Sequence, residues 1–263
     1  MCRLLGYFGP PVVLDSLLTK PEHSLVVQSY QPREMTSGLI NADGFGVGWY
    51  HPQRETEPYI YKNILPIWSD INLTNLSRYI ESGCVLANVR SATANQAVQL
   101  SNCQPFRWGR IMGIHNGFIE NFHQTLYRPI RDRLNDVCYQ AIEGTTDSEH
   151  IFALICNQLQ VSPQISLLKA LQITLQTLAE WAQAYKIKVG LNLLISDGHS
   201  LVASRFAYPA RPPSLYWLRD DPSWAGSVLV ASEPMFTSDQ WISCPENNTL
   251  VIGEDLDIQT YQL

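Results

Sequence analysis

Charge is scarce in this sequence. Asp, Glu, Lys and Arg make up 16% of its 263 residues, against about a quarter in an average soluble domain. Cations are the scarcer sign: Lys plus Arg is 18, Asp plus Glu is 24, and the net charge is −6. Nothing here forms a basic footprint, so neither nucleic acid nor an anionic membrane is an expected partner. No apolar run approaches the roughly 18 residues that a membrane-spanning helix needs. The opening residues, MCRLLGYFGPP, contain one Arg and a short apolar stretch, which excludes a secretory signal. The six cysteines, at positions 2, 84, 103, 138, 156 and 244, form no CxxC and no zinc-knuckle spacing. No metal or other cofactor is therefore expected. Free thiols in the cytoplasm are the default. Internal repeats, low-complexity tracts and Gly/Ser linkers are also missing.

What is there can fold. Apolar residues reach 45%, enough for a large core at this length. With no linker to divide it, residues 1–263 read as a single domain. Period-2 or continuous apolar stretches predict strands at 3–8, 45–50, 59–62, 84–90 and 110–115. Ser24–Gln28 reads as a short helix or strand, and 29–43 as a loop that could cover a site. Asn72–Glu81 reads as a helix ended by Gly83. Asp147 or Ser148 caps a helix to about Leu159. Leu167, Leu171, Leu175, Leu178, Ala182 and Tyr185 mark one helical face over 163–185, with Pro163 in the first turn. Asp197-Gly198 between two apolar runs predicts a hairpin. Further short strands follow at 215–218, 227–232, 249–252 and 258–262. Strands, then helices, then strands argue for an α+β layered fold.

Four segments carry chemistry. Cys2 follows the initiator Met, and methionine aminopeptidases remove Met ahead of a small residue. The new N-terminus would hold a thiol and an α-amine on one residue. Such amines titrate near 7.7–8.0, close to the range that suits a general base. The plainer reading of Cys2 is a small buried hydrophobe on a first strand. Arg90, ending an apolar strand in Arg90-Ser91-Ala92-Thr93, offers a planar fork suited to a carboxylate. A structural ion pair would explain it equally. Asn116-Gly117 offers an amide NH2 and an unhindered N–H, two donors for an oxyanion. Asn-Gly is also a common turn. Asp147, in Thr145-Thr146-Asp147-Ser148-Glu149, is a helix-start carboxylate that could also bind an ammonium. Together they form a kit for one end of an amino acid. Arg suits its α-carboxylate and Asp its α-ammonium. A thiol suits its side-chain acyl group, and two donors suit the oxyanion.

In this order, MCRLLGYFG, VRSAT, HNGFIEN and TTDSE resemble the class II glutamine amidotransferases of the N-terminal-nucleophile superfamily. NADGFGVGWY, the late LVASEP and much of the first fifty residues are similar to one stand-alone branch, the EgtC-type amidohydrolases of ergothioneine biosynthesis. The resemblance implies a four-layer α/β/β/α sandwich and a small-molecule γ-glutamyl substrate. It implies hydrolysis of γ-glutamyl-hercynylcysteine sulfoxide to glutamate and hercynylcysteine sulfoxide. It assigns Cys2 as nucleophile and base, Asn116 and Gly117 as the oxyanion hole, and Arg90, Thr93, Asp147 and His115 to substrate binding. Asn88 departs from the pattern, since many relatives carry His two residues before that Arg. No length is left for a synthetase domain, so a free-standing hydrolase is expected. Trp49 and Trp108, with Tyr50 and Phe106, are candidate contacts for a cationic leaving group. Two alternatives stay open: the same chemistry on glutamine or another γ-glutamyl amide, or a non-catalytic γ-glutamyl binder. Sparse charge and many aromatics also leave room for a homodimer.

Overall fold

The computed structural model describes residues 2–35, 38–51, 55–93 and 96–263. Its first strands are β1 (Arg3–Val13), β2 (Phe45–His51), β3 (Glu55–Asn63), β4 (Glu81–Val89), β5 (Phe106–Trp108) and β6 (Ile111–Ile119). After the long helices come β7 (Val189–Ser196), β8 (Leu201–Arg205), β9 (Ala207–Tyr208), β10 (Tyr216–Arg219) and β11 (Val228–Ala231). The chain ends with β12 (Ile242–Ser243), β13 (Asn248–Ile252) and β14 (Ile258–Gln262). The helices are α1 (Leu14–Leu18), α2 (Leu25–Tyr30), α3 (Ile71–Leu76), α4 (Tyr127–Arg133), α5 (Asp136–Gln140), α6 (Asp147–Val161) and α7 (Leu167–Tyr185).

Two antiparallel sheets result. One runs β12-β10-β11-β1-β4-β2-β3, and the other runs β14-β13-β8-β7-β6-β5 with β9 beside β7. Alternation along each strand builds three cores. On β1, Leu5 and Tyr7 pack with Leu14, Leu17, Leu18 and Leu25 beneath α1 and α2. Leu4 and Phe8 point the other way, into a core between the sheets with Leu86, Ile114 and Leu194. The second sheet's far face packs Leu191, Leu193 and Ile195 against Ile151, Leu154, Leu171, Leu175 and Leu178 of α6 and α7. This is the expected α/β/β/α sandwich. Both faces of β1 and β7 are covered, so they read as continuous apolar runs.

Several boundaries differ from expectation. The strand through Asn116-Gly117 does not turn; β6 continues to Ile119, paired with β7 throughout. Gly117 is required because an added Cβ would strike the Gly190 carbonyl on that neighbour. The helix at Asn72 stops at Leu76, because Glu81 and Ser82 are drawn into β4 opposite Val13 and Val12. Gly83 sits inside that strand rather than capping a helix. Helix α6 is capped by Thr146, whose hydroxyl accepts from the Glu149 N–H at 3.3 Å, rather than by Asp147 or Ser148. Helix α7 is capped by Ser166, leaving Pro163 before it. The Asp197-Gly198 hairpin forms, with Gly198 at φ +86°, a conformation that favours glycine.

Candidate active site

The site is assembled by register. Arg3 on β1 pairs with Val89 on β4, which places Cys2 opposite Arg90. Across the sandwich, Gly48 lies against Met112 and Gly46 against the Gln104 carbonyl. Gln104 in turn brackets His115, taking its N–H and donating to its carbonyl. Passing from the Gly48 row to the Gly46 row thus moves from Met112 towards Asn116. The same direction on β1 leads from Gly6 through Leu4 to Cys2. Cys2 and Asn116 therefore belong to one end of the inter-sheet space, each two residues beyond a core residue, Leu4 and Ile114.

Arg90 is 2% exposed. Its guanidinium donates to the carbonyl of Asp43 at 3.2 Å, to the Gln96 side chain at 3.3 Å and to the Ala97 carbonyl at 3.4 Å. All three acceptors are neutral. Among the described residues no carboxylate lies within ion-pair distance of it. Sequence reasoning missed Asp43, which braces this corner. Its N–H donates to the Arg90 carbonyl at 3.0 Å, and its carboxylate accepts the Ala92 N–H at 2.8 Å. Thr93 is exposed on the same segment, and its carbonyl accepts the Gln96 N–H at 3.0 Å.

Asn116 is fully buried, and neither its amide nitrogen nor its amide oxygen has a partner in the protein. An orphaned buried amide costs on the order of 1–3 kcal/mol, and this one leaves a donor and an acceptor unspent at this end of the inter-sheet space. Asp147 opens α6 and ties it to the end of β6. Its carboxylate accepts the Ile119 N–H and the Ser148 N–H, each at 2.8 Å. That puts a carboxylate two residues past Gly117 along the strand.

His115 is corrected from a substrate contact to a brace. It points to the outer face, where Nε2–H donates to the Gly190 carbonyl at 3.0 Å and Nδ1 accepts from Ser148 at 2.9 Å. Burial keeps it neutral by lowering its pKa, although Asp147 pulls the other way. Trp49 and Trp108 are not brought to this end either. Trp49 pairs with Val85, five residues along β4 from Arg90, and packs against Tyr59 in a tilted pair with ring centroids 4.9 Å apart. Trp108 pairs with Ile111, five residues before Asn116. Five strand residues span about 16 Å. Trp108 and Phe106 line a cavity of about 470 Å³ with Lys62 and Glu149, and none of Cys2, Arg90 or Asn116 lines it. The Tyr50 hydroxyl is spent on the Arg110 and Ser196 carbonyls at 2.6 and 2.8 Å. Proximity in sequence suggested these aromatics; strand length separates them.

LVASEP supplies a second feature that sequence reasoning left without a role. Glu233, 1% exposed, faces Arg3 across β1 and β11, with an oxygen 3.5 Å from its guanidinium. It also bonds His23 Nε2 at 2.7 Å and accepts the N–H groups of Arg33 and Glu34 at 2.8 and 3.0 Å. Burial pushes its pKa up, but these four partners outweigh it and leave the carboxyl below its ordinary value. The carboxylate thus fastens the start of the 31–43 loop to β1. The loop's Thr36 and Ser37 lie outside the described residues.

Comparison with known proteins agrees with this geometry. A family model described as glutamine amidotransferases class-II matches residues 1–223. The chain belongs to the class II glutamine amidotransferases, enzymes acting on a C–N amide bond. It is 30% identical to a γ-glutamyl-hercynylcysteine sulfoxide hydrolase of Mycobacterium tuberculosis, covering 97% of this chain and 94% of that one. It is also 30% identical to a probable glutamine amidotransferase, DUG3, of Saccharomyces cerevisiae, covering 96% and 82%. Among solved structures, a glutamine aminotransferase class-II domain protein from Silicibacter pomeroyi shares the fold. It matches with a TM-score of 0.72 and 24% identity, over 100% of this chain and 99% of that one. Among the described residues no group of three or more His, Cys, Asp or Glu is placed to hold a metal. No helix among them is long and apolar enough to cross a membrane.

Proposed function

We propose that this chain is a γ-glutamyl amidohydrolase whose substrate is γ-glutamyl-hercynylcysteine sulfoxide, released as glutamate and hercynylcysteine sulfoxide. The observation that carries the reading is Arg90. A buried guanidinium facing only neutral oxygens lacks the anion that such a charge needs. It stands in register with Cys2. A substrate carboxylate supplies the anion and delivers the γ-carbonyl to the thiol.

In this reading Met1 is removed and the Cys2 amine, through water, takes the thiol proton. The thiolate attacks the γ-carbonyl. The Asn116 amide and the Gly117 N–H hold the oxyanion, each donor worth roughly 3 kcal/mol in the transition state. The C–N bond breaks and the proton passes to the leaving amine. Water then cleaves the γ-glutamyl thioester and restores the thiol. Arg90 and Thr93 grip the α-carboxylate, and Asp147 the α-ammonium. The 30% identity to sulfoxide hydrolases along nearly the full chain supports the leaving group. The equal identity to a probable glutamine amidotransferase keeps a second reading, glutamine or another γ-glutamyl amide as substrate.

Glutamate release from γ-glutamyl-hercynylcysteine sulfoxide, measured beside release from glutamine, separates the two. The first reading predicts a kcat/KM at least about 100-fold higher for the sulfoxide. Cys2→Ala takes both rates to background while the far-UV spectrum is kept; retained turnover removes Cys2 from the chemistry.

A further inference from the structure

Asn192 has a buried acceptor that the mechanism above does not use. It lies on β7 directly across from Asn116 and is fully buried. Its amide nitrogen donates to the carbonyls of Pro213 and Ser214 at 3.0 and 3.3 Å. Both N–H groups are thereby consumed, which fixes the amide's orientation and turns Oδ1 the other way. That oxygen has no partner among the described residues, and neither does the buried hydroxyl of Ser214.

The strand above is the nucleophile's. A Cβ on Gly6 would meet Leu194 at 3.2 Å, so β1 crosses over β7. Two residues on, in the direction that leads to Cys2, Asn192 lies beneath the Leu4–Cys2 stretch. The backbone N–H and carbonyl of Leu4 both turn to Ser232, at 2.9 and 3.0 Å. Backbone groups alternate along a strand, so the Cys2 nitrogen, two residues earlier, turns to that side as well. Ser214 arrives on that side too, since it leads into β10, the neighbour of β11.

We propose that Asn192 is a positioning residue for the catalytic amine. Once Met1 is removed, its Oδ1 accepts a hydrogen bond from the Cys2 ammonium, directly or across one water. The inference rests on the nucleophile reading above. The thiol proton moves to the amine, making an ammonium with three donors, and later leaves with the departing amine. An acceptor fixed beneath the ammonium favours the protonated form and aims the neutral amine's lone pair towards the thiol. The other charged or titratable groups around this end are Arg3, Glu233, His23 and Glu34 on the far face of the first sheet. Among the described residues the others are Arg90 just past β4, Asp43 beside it, Asp147 at the start of α6, Cys103 before β5, His115 on the outer face of β6 and Arg205 on β8. None of them changes when Asn192 is replaced.

The test is the pH profile of kcat/KM, whose acid limb reports the free enzyme's base. Asn192→Leu should move that limb down by about one pH unit and Asn192→Asp should move it up. A limb that stays in place in both variants, with a pH-independent loss of rate, overturns the proposal. Asn192 would then act through its neighbour Asn116. Because the Leu variant also loses two backbone bonds, a crystal structure of the Met-processed wild type supplies the second reading. Asn192 Oδ1 is expected within about 3.2 Å of the Cys2 nitrogen, or of a water bonded to it. Oδ1 bonded only to the Asn116 amide would overturn the proposal. Absence of glutamate release from every γ-glutamyl amide sinks the hydrolase reading instead, and that structure still reports the amine contact.

Discussion

Two arginines lie within reach of Cys2, both essentially sealed from solvent, and they are buried in opposite ways. Arg3, on the outer face of the first sheet, has Glu233 beside it at 3.5 Å. Arg90, at the end of β4, meets only carbonyl and amide oxygens among the described residues. The same side chain with and without a counter-ion separates structure from function. The paired arginine holds a loop and a strand together, and the unpaired one is the site at which the proposed substrate carboxylate would bind. A buried charge that the fold has not neutralised is the better sign of a binding site.

The contrast breaks most visibly at Glu233. Glu233→Gln leaves Arg3 buried without an anion and removes an acceptor from the Arg33 and Glu34 N–H groups, at a cost of about 3–5 kcal/mol in unfolding free energy. Chemical denaturation measures it. A loss below about 1 kcal/mol would mean the pair is not structural.

A third buried base, His150, sharpens the point because the fold keeps it uncharged. Its Nδ1–H donates to the Thr146 carbonyl at 2.8 Å, and its Nε2 accepts from Arg131 at 3.0 Å. Desolvation leads the causes that lower its pKa from 6.5 to about 4. The folded protein therefore binds this proton more weakly than the unfolded chain does. Its contribution is full above about pH 6.5 and is lost as pH falls towards about 4, a change on the order of 3 kcal/mol. Unfolding midpoints across that window should fall in the wild type and fall less in His150→Gln. Parallel curves for the two proteins would show that His150 is not the group responsible.

The smallest effect belongs to Arg90 itself. Arg90→Lys keeps the charge and loses the fork, so kcat/KM should drop about 10- to 100-fold. Stability should fall by about 1–2 kcal/mol, less than at Glu233, because hydrogen bonds to neutral oxygens are lost but no ion pair is. Near-normal kinetics together with a large loss of stability would reverse the assignment of the two arginines.

Much of this was legible in the residues. The Asp197-Gly198 hairpin, the buried helical face from Leu167 to Ala182 and the α+β layering follow from local pattern, while Tyr185, expected on that face, is exposed. So do the four chemical segments: Cys2, Arg90 and Asp147 flank the ends of strands or open a helix, and Asn116-Gly117 lies within β6. What failed was whatever depends on pairing across long separations. Asn116-Gly117 looks like a turn until β7 is known to run beside it. Asn192 stands 76 positions from Asn116 and meets it only through register. Glu233 reaches Arg3 from the far end of the chain. Trp49 and Trp108 sit close to motif residues in number, yet strand geometry carries them about 16 Å away. His115 is adjacent to Asn116, and period-2 alternation turns it to the other face.

The central claim is that an N-terminal Cys2 carries the acyl group. Acid-quenched intact mass spectrometry of the enzyme during turnover of γ-glutamyl-hercynylcysteine sulfoxide tests it directly. The account predicts a chain without Met1 that carries one glutamyl residue, mapped to Cys2 and removed by hydroxylamine. Turnover by a chain that keeps Met1, or a glutamyl adduct on any other residue, would contradict it.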